Sequence, residues 1–224
     1  MVGFKGGLMS AKSLADRGVT EPVIAPLFRS GDIVNGAAVN LCGYRRAAFE
    51  AKLGFVFGTP VERPLDSVVA LKSLVSGIQP VMELPDIAYR NDKNYGAIDM
   101  TAAMISSARF VRGPIASPQS IDLNELLVSV SRDGVTLTHG NGRESLDDQW
   151  RSLLTLVNLI VANGYFIKSG QLVITGKIGD KGELRAGRYE IDYGALGEIR
   201  FNVIACSPAP AVNADGSTAE LGAH

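Results

Sequence analysis

The sequence predicts an α+β fold rich in strand, on three observations. Short apolar runs recur along the chain, several of them alternating with polar residues. An Asp-Gly dipeptide joins two such runs as a hairpin signal, and one long stretch carries clear helical spacing. A chain of 224 residues with 46% hydrophobic and 20% charged residues is of ordinary globular composition. At that length it can bury about 70% of the surface its unfolded form exposes.

The elements follow in order. "MVGFKGGLMS" is a short strand followed by a tight, glycine-punctuated backbone. "AKSLADRGVTEPVIAPLFRSGDIV" reads as a short helical turn and then loop, punctuated by Gly18, Pro22 and Pro26. "FEAKLGFVFG", residues 49–58, reads as a strand, and "TPVERPLDS" as a loop. "LDSVVALKSLVSGIQPVMELPD" opens as a helix with Asp66 or Ser67 as N-cap, closes at Gly77, and enters another strand. "SIDLNELLVSVSRDGVTLTHGNG" holds two alternating runs about Arg132-Asp133-Gly134. "SLDDQWRSLLTLVNLIVANGY" is the clearest helix, with capping chemistry at Ser145 or Asp147 and Gly164 past its end. The rest, up to about residue 206, reads as short strands and glycine turns. Residues 1–206 are expected to form a single domain, and the small, polar tail 207–224 to be disordered.

Composition excludes several functions. A net charge of −1 gives no electrostatic footprint for nucleic acid. No apolar run reaches the roughly 18 residues of a membrane span, and the N-terminus lacks the three regions of a secretory signal. Cys42 and Cys206 show no metal-ligand spacing; two free thiols and a cytoplasmic location are expected. His139 is the only internal histidine, which argues against zinc sites and histidine-based triads. "GKIGDKG" lacks the ending and the helix of a phosphate loop.

The strand at 49–58 raises the functional question. Side chains two apart share a face. Phe49, Ala51, Leu53, Phe55 and Phe57 therefore lie on one side, and Glu50, Lys52, Gly54 and Val56 on the other. An acid and a lysine on a half-buried strand are either a solvated ion pair or the wall of a site.

The ordered series "GFKGGLMS", "PLFRS", "FEAKLGFVFG", "QPVMELPD", the hairpin, the long helix and "GQLVITGKIG…LRAGRYEIDYGALGEIRFNV" resembles the 2-oxopent-4-enoate hydratase and 4-oxalocrotonate decarboxylase family of the fumarylacetoacetate hydrolase superfamily. The resemblance runs from about residue 2 to about residue 204. It implies a β-rich α+β fold with mixed sheets and one or two long helices. Family members carry a further helical segment before the glycine-lysine motif. On this reading the segment is dispensable here, the sequence is truncated, or a partner supplies it.

The resemblance also implies a lyase that acts on a small 2-oxo or 2-hydroxydienoic acid through an enolate. A divalent ion, Mg²⁺ or Mn²⁺, would be held by a Glu-x-Glu pair and a third glutamate. Carried over, Lys5 matches the early lysine, Glu50 the first acid and Glu83 the third. The second acid is Lys52. An ammonium there changes the local charge by about two units and would repel a cation at 4 Å by about 4 kcal/mol per unit charge at an effective dielectric near 20. Glu50 and Glu83 are thus the metal candidates, and Lys52 argues against the metal. Lys5, Lys52, Glu50 and Glu83 are the catalytic candidates, the Lys52 ammonium standing in for the metal. Ser106, Thr175, Gly176 and Asp86 are the candidates for binding substrate. "AAMISS" replaces a polar pair by Ala103 and Met104 but keeps Ser106, and Asp147, Asp148 and Gln149 stand where the family has Gly-His-Pro.

The expected partner is a small carboxylic acid, with neither nucleic acid nor membrane, in a homo-oligomer. Three alternatives stay open: a metal-free isomerase or cyclase, a C–C hydrolase on the same pocket, and a binding relative without catalysis.

Overall fold

The computed structural model describes residues 1–89, 95–118 and 121–206; the tail 207–224 lies outside the described residues. In chain order the elements are β1 (Gly3–Gly7), α1 (Ala11–Arg17), β2 (Val23–Leu27), β3 (Asp32–Ile33), β4 (Ala38–Asn40), β5 (Ala48–Phe57), α2 (Val68–Leu74) and β6 (Val75–Leu84). They continue with α3 (Ala97–Ala102), β7 (Arg109–Arg112), β8 (Leu127–Arg132), β9 (Val135–Asn141), α4 (Gln149–Ala162), β10 (Leu172–Glu183), β11 (Gly187–Asp192) and β12 (Glu198–Ile204). The strands form a seven-stranded sheet, β2-β1-β10-β5-β6-β7-β3, and a five-stranded sheet, β4-β12-β11-β8-β9. Both are mixed: β1 runs parallel to β10, β3 to β7 and β4 to β12, and the other pairs are antiparallel.

The larger sheet cannot be flat. Its two edge strands, β2 and β3, are joined only by residues 28–31, a link that spans at most about 18 Å. Seven strands laid flat at about 4.8 Å spacing would separate those edges by nearly 30 Å. The sheet therefore curls into an open roll. Its interior shows the consequence: Leu27 of β2, Val81 of β6, Phe110 of β7, and Leu172 and Ile174 of β10 pack as one cluster although they lie on distant strands.

The outer face of the roll carries the main core. Phe55 of β5 meets Trp150 of α4 with ring centroids 5.2 Å apart, and Phe49 meets Tyr189 of β11 at 5.8 Å. The long helix forms as its spacing requires, burying Trp150, Leu153, Leu156, Val157 and Ile160. Its N-cap is Asp148, whose carboxylate accepts from the Arg151 N–H at 2.8 Å, in place of the expected Ser145 or Asp147. The hairpin turn has φ of 52° at Asp133 and 81° at Gly134, the double positive φ for which Asp-Gly is suited.

Three expectations are corrected. Residues 23–27, read as loop, form strand β2; it sits at the sheet edge, where Pro26 leaves no ladder bond unmade. The helix expected to close at Gly77 ends at Leu74, and Gly77 lies inside β6, where a Cβ would come 2.5 Å from the Ile115 side chain. Cys42 and Cys206 are joined in a disulfide across 164 residues of sequence. Parallel pairing of β4 with β12 brings them together, with Asn40 opposite Ile204. Sequence spacing carries no trace of that register. The inference of free thiols fails, and the argument for a cytoplasmic location loses that premise.

Candidate active site

The inner face of the roll changes character along its length, from the apolar cluster to a chain of charges. Adjacent strands supply the charges. Glu50 and Lys52 come from β5 and Glu83 from β6, with Glu50 and Glu83 directly opposite one another in the ladder. Like charges in that register repel, and a lysine resolves the conflict. Lys52 Nζ lies 3.1 Å from Glu50 Oε2 and 2.7 Å from Glu83 Oε2. Lys5, on β1 beyond the intervening β10, completes the chain with its Nζ 2.7 Å from Glu83 Oε1. Lys5, Lys52 and Glu83 are 2–3% exposed, whereas the Glu50 side chain is 20% exposed. Glu83 Oε2 meets Lys52 as a charge contact outside hydrogen-bonding geometry, so distance and opposite charge set that interaction.

Burial and pairing together set the protonation states. Burial alone would raise the Glu83 pKa, but Lys5 and Lys52 more than offset it and hold the carboxyl down at about 2. For Lys52, burial lowers the pKa, and Glu83 with Glu50 overcome it to raise the value above the ordinary 10.5. Lys5 differs: burial dominates, aided by Lys52, and its pKa falls despite Glu83. Of the two lysines, Lys52 is the firmly charged one.

A cavity of about 440 Å³ opens over this chain, with Glu50, Lys52, Ile105, Gly176, Lys177 and Lys181 in its wall. Gly176 belongs there for lack of space, since a Cβ would stand 2.6 Å from Ser145 Oγ and 2.7 Å from Met9 Cβ. Arg17 covers part of the mouth, its guanidinium 4.0 Å from the Tyr95 ring centroid, and Tyr95 stacks on Tyr89 at 4.0 Å.

The other expected residues divide. Ser106 donates its hydroxyl to Tyr89 Oη at 2.8 Å and borders a smaller space beside the cavity that also touches Lys5 and Glu50. Thr175 is fully buried, and its hydroxyl donates to Gln149 Oε1 at 2.8 Å, so it does not reach the cavity wall. Asp86 accepts the backbone N–H of Arg46 at 2.7 Å and of Arg45 at 3.1 Å, and faces a separate hollow of about 250 Å³. It organises a loop.

One feature escaped sequence reasoning. Met104, Ile105 and Ser106 all have positive φ, at 48°, 52° and 56°, a left-handed run that costs non-glycine residues about 1–3 kcal/mol each. Lys5 Nζ holds it by donating to the Ile105 carbonyl at 3.1 Å, and the Asp86 N–H donates to the Ser106 carbonyl at 3.1 Å. Nothing in "AAMISS" announces that conformation.

The donor set does not suit a divalent ion in the three-acid manner. Two carboxylates face one another, and an ammonium is bound between them. No group of three or more acids, histidines or cysteines among the described residues is placed to hold a metal.

No protein-family model matches the chain. It is 28% identical over 179 residues to the 4-oxalocrotonate decarboxylase of Pseudomonas sp. (strain CF600), covering 80% of this chain and 67% of that protein. Over 203 residues it is 28% identical to the 2-keto-4-pentenoate hydratase of Burkholderia vietnamiensis, covering 89% and 77%. The solved 4-oxalocrotonate decarboxylase of Pseudomonas putida G7, complexed with magnesium and adipate, superposes with a TM-score of 0.86 at 27% identity, covering 91% of this chain and 78% of that one. The fold is thus the one the resemblance implies, and the named relatives are enzymes of lyase type.

Proposed function

From a chain that is a divergent relative of the 4-oxalocrotonate decarboxylases and 2-keto-4-pentenoate hydratases, we propose an enzyme of lyase type. It acts on a small 2-oxo or 2-hydroxydienoic acid through an enolate, with the Lys52 ammonium in place of a divalent ion. The observation that carries this is the position of Lys52, its Nζ bound between Glu50 and Glu83 in a residue that lines the cavity.

The chemistry follows from those groups. An ammonium has three donors; that of Lys52 is held by charge near Glu50 and Glu83, and in the proposed complex one of its N–H groups turns to the 2-oxo oxygen of the bound acid. Glu50, the most exposed member of the chain, takes the proton from C3. The C3–H electron pair becomes the C2=C3 bond, the carbonyl pair moves onto oxygen, and the new negative charge faces Lys52. Return of the proton from Glu50 to carbon closes the enolate step, which a lyase couples to addition of water across the conjugated double bond or to loss of carbon dioxide, whose C–C electron pair enters the same enolate. Stabilising charge where it develops, beside a buried ammonium, is how such a step gains rate. Glu83 and Lys5 position Lys52 and the strained turn at Ile105.

Two measurements test the reading. Calorimetric titration of metal-stripped protein with Mg²⁺ and then Mn²⁺, with oxalate present, is expected to show no stoichiometric ion binding. Lys52→Glu is expected to gain it. NMR of 2-oxo acids in deuterated buffer is expected to show exchange at C3 catalysed by the metal-stripped protein. One ion bound per wild-type chain would overturn the metal-free part, and no exchange across a panel of 2-oxo acids would overturn the enolate.

A further inference from the structure

Among the described residues, the charges around the cavity do not balance, and the residue left over is Lys181. Each other charged group there is engaged. Glu50 is held by Lys52 at 3.1 Å and Asp16 by Lys12 at 2.7 Å. Glu144 accepts the backbone N–H groups of Asn141 and Gly179, both at 2.9 Å. Arg17 donates to the Tyr95 carbonyl and covers its ring. Lys177 Nζ donates to the Gly179 carbonyl at 2.7 Å and faces Asp180 at 3.8 Å. Lys181 borders both the main cavity and the smaller space beside Lys5 and Glu50, and has no ion pair or hydrogen bond among the described residues.

Its position is built into the sheet. On β10, Lys177 pairs with Lys52 and Ile178 with Ala51, but Gly182 pairs with Phe49. The register slips by two residues between Ile178 and Gly182, which sets Lys181 across from Glu50, where Gly179 would otherwise stand. Bulges of this kind re-aim side chains beside sites. This one is pinned: the Gly179 N–H donates to Glu144, and the Asp180 N–H donates to Thr138 Oγ1 at 2.9 Å. Gly179 supplies the positive φ of 75° that the bulge needs.

We infer that Lys181 is a specificity-determining residue that takes a second carboxylate of the bound acid, so that the cavity favours a dianion over a monoanion of equal length. The inference rests on the proposed action upon small organic acids and adds which acids are preferred. One end of the ligand meets Lys52 on the floor and the other meets Lys181 on the wall. The cavity's surplus of positive charge draws a dianion more strongly than a monoanion, and the preference weakens as salt rises.

The test compares adipate with hexanoate, equal in carbon count and differing by one carboxylate. Calorimetric binding is measured for wild type, Lys181→Gln and Lys181→Arg. Wild type is expected to prefer adipate by about tenfold, the 1.4 kcal/mol of one charge-assisted contact. Lys181→Gln is expected to lose that preference while binding hexanoate as before, and Lys181→Arg to retain it. A change in general packing would move both ligands together. Equal adipate affinity in wild type and Lys181→Gln would overturn the assignment and leave the broader reading standing. If wild type binds neither acid, the assignment falls, and the broader reading falls with it only where C3 exchange of 2-oxo acids is absent as well.

Discussion

Along β5, Phe49 and Phe55 turn outward to Tyr189 and Trp150, while Glu50 and Lys52 turn inward to Glu83. Both faces are mostly dry, but they are held by different physics. The aromatic face is non-directional: each side chain contributes in proportion to buried area, about 1.5–3 kcal/mol for a large apolar residue. The ionic face is all-or-none. Its members are stable in burial only because each has the others, and each loss leaves an uncompensated charge. The first face tolerates approximate solutions, and the second does not.

The largest way to break the contrast is Glu83→Gln. It removes the anion between two buried lysines, and chemical denaturation is expected to show a loss of about 3–5 kcal/mol. An effect below about 1 kcal/mol would mean the ionic face relaxes as readily as the aromatic one.

Acid titration sharpens the contrast without mutation. The Glu83 carboxyl is held at about 2 in the fold, below its ordinary 4.5, so the unfolded chain binds the proton more readily. Its contribution is whole above pH 4.5 and drains away as pH falls toward 2. Thermal melting of wild type should therefore weaken across that window. A Glu83→Gln protein that still folds should show a flatter profile, and an identical one would refute the assignment. At the alkaline end, the raised Lys52 pKa contributes stability below 10.5 that is lost as pH climbs past the folded value.

The smallest stability effect is expected at Glu50, whose side chain is 20% exposed. Glu50→Gln should cost about 1–3 kcal/mol, less than Glu83→Gln because Lys52 keeps Glu83 as its partner, yet it removes the proposed proton carrier. C3 exchange is expected to fall by at least about 100-fold, a scale typical of lost acid–base catalysis. Undiminished exchange would assign the proton to another group.

Much of the contrast was legible beforehand because it is local. Period-two alternation in "FEAKLGFVF" fixes which residues share a face, and the resemblance supplied Lys5 and Glu83 as their companions. The hairpin and the long helix were equally local, carried by Asp133-Gly134 and by apolar spacing from Trp150 to Ile160. What stayed hidden depends on register between distant strands. The Cys42–Cys206 bond needs β4 beside β12, and Lys181 needs a bulge whose anchors, Glu144 and Thr138, lie some forty residues upstream. The left-handed run at Met104–Ser106 is held by a lysine about a hundred residues away, so its local sequence gives no notice.

The place of β10 in the sheet has a consequence for how the protein is made. β10 lies between β1, which carries Lys5, and β5, which carries Glu50 and Lys52. A chain leaving the ribosome exposes Lys5 and Glu83 well before the strand that seats them side by side, which ends at Glu183. Until then β1 and β5 present open edges to the crowded cell, and two lysines and two glutamates destined for burial remain in water. The site is completed only when β10 emerges, and a nascent chain halted short of that strand carries Lys5, Glu50, Lys52 and Glu83 but neither Gly176 nor Lys181, and no pocket.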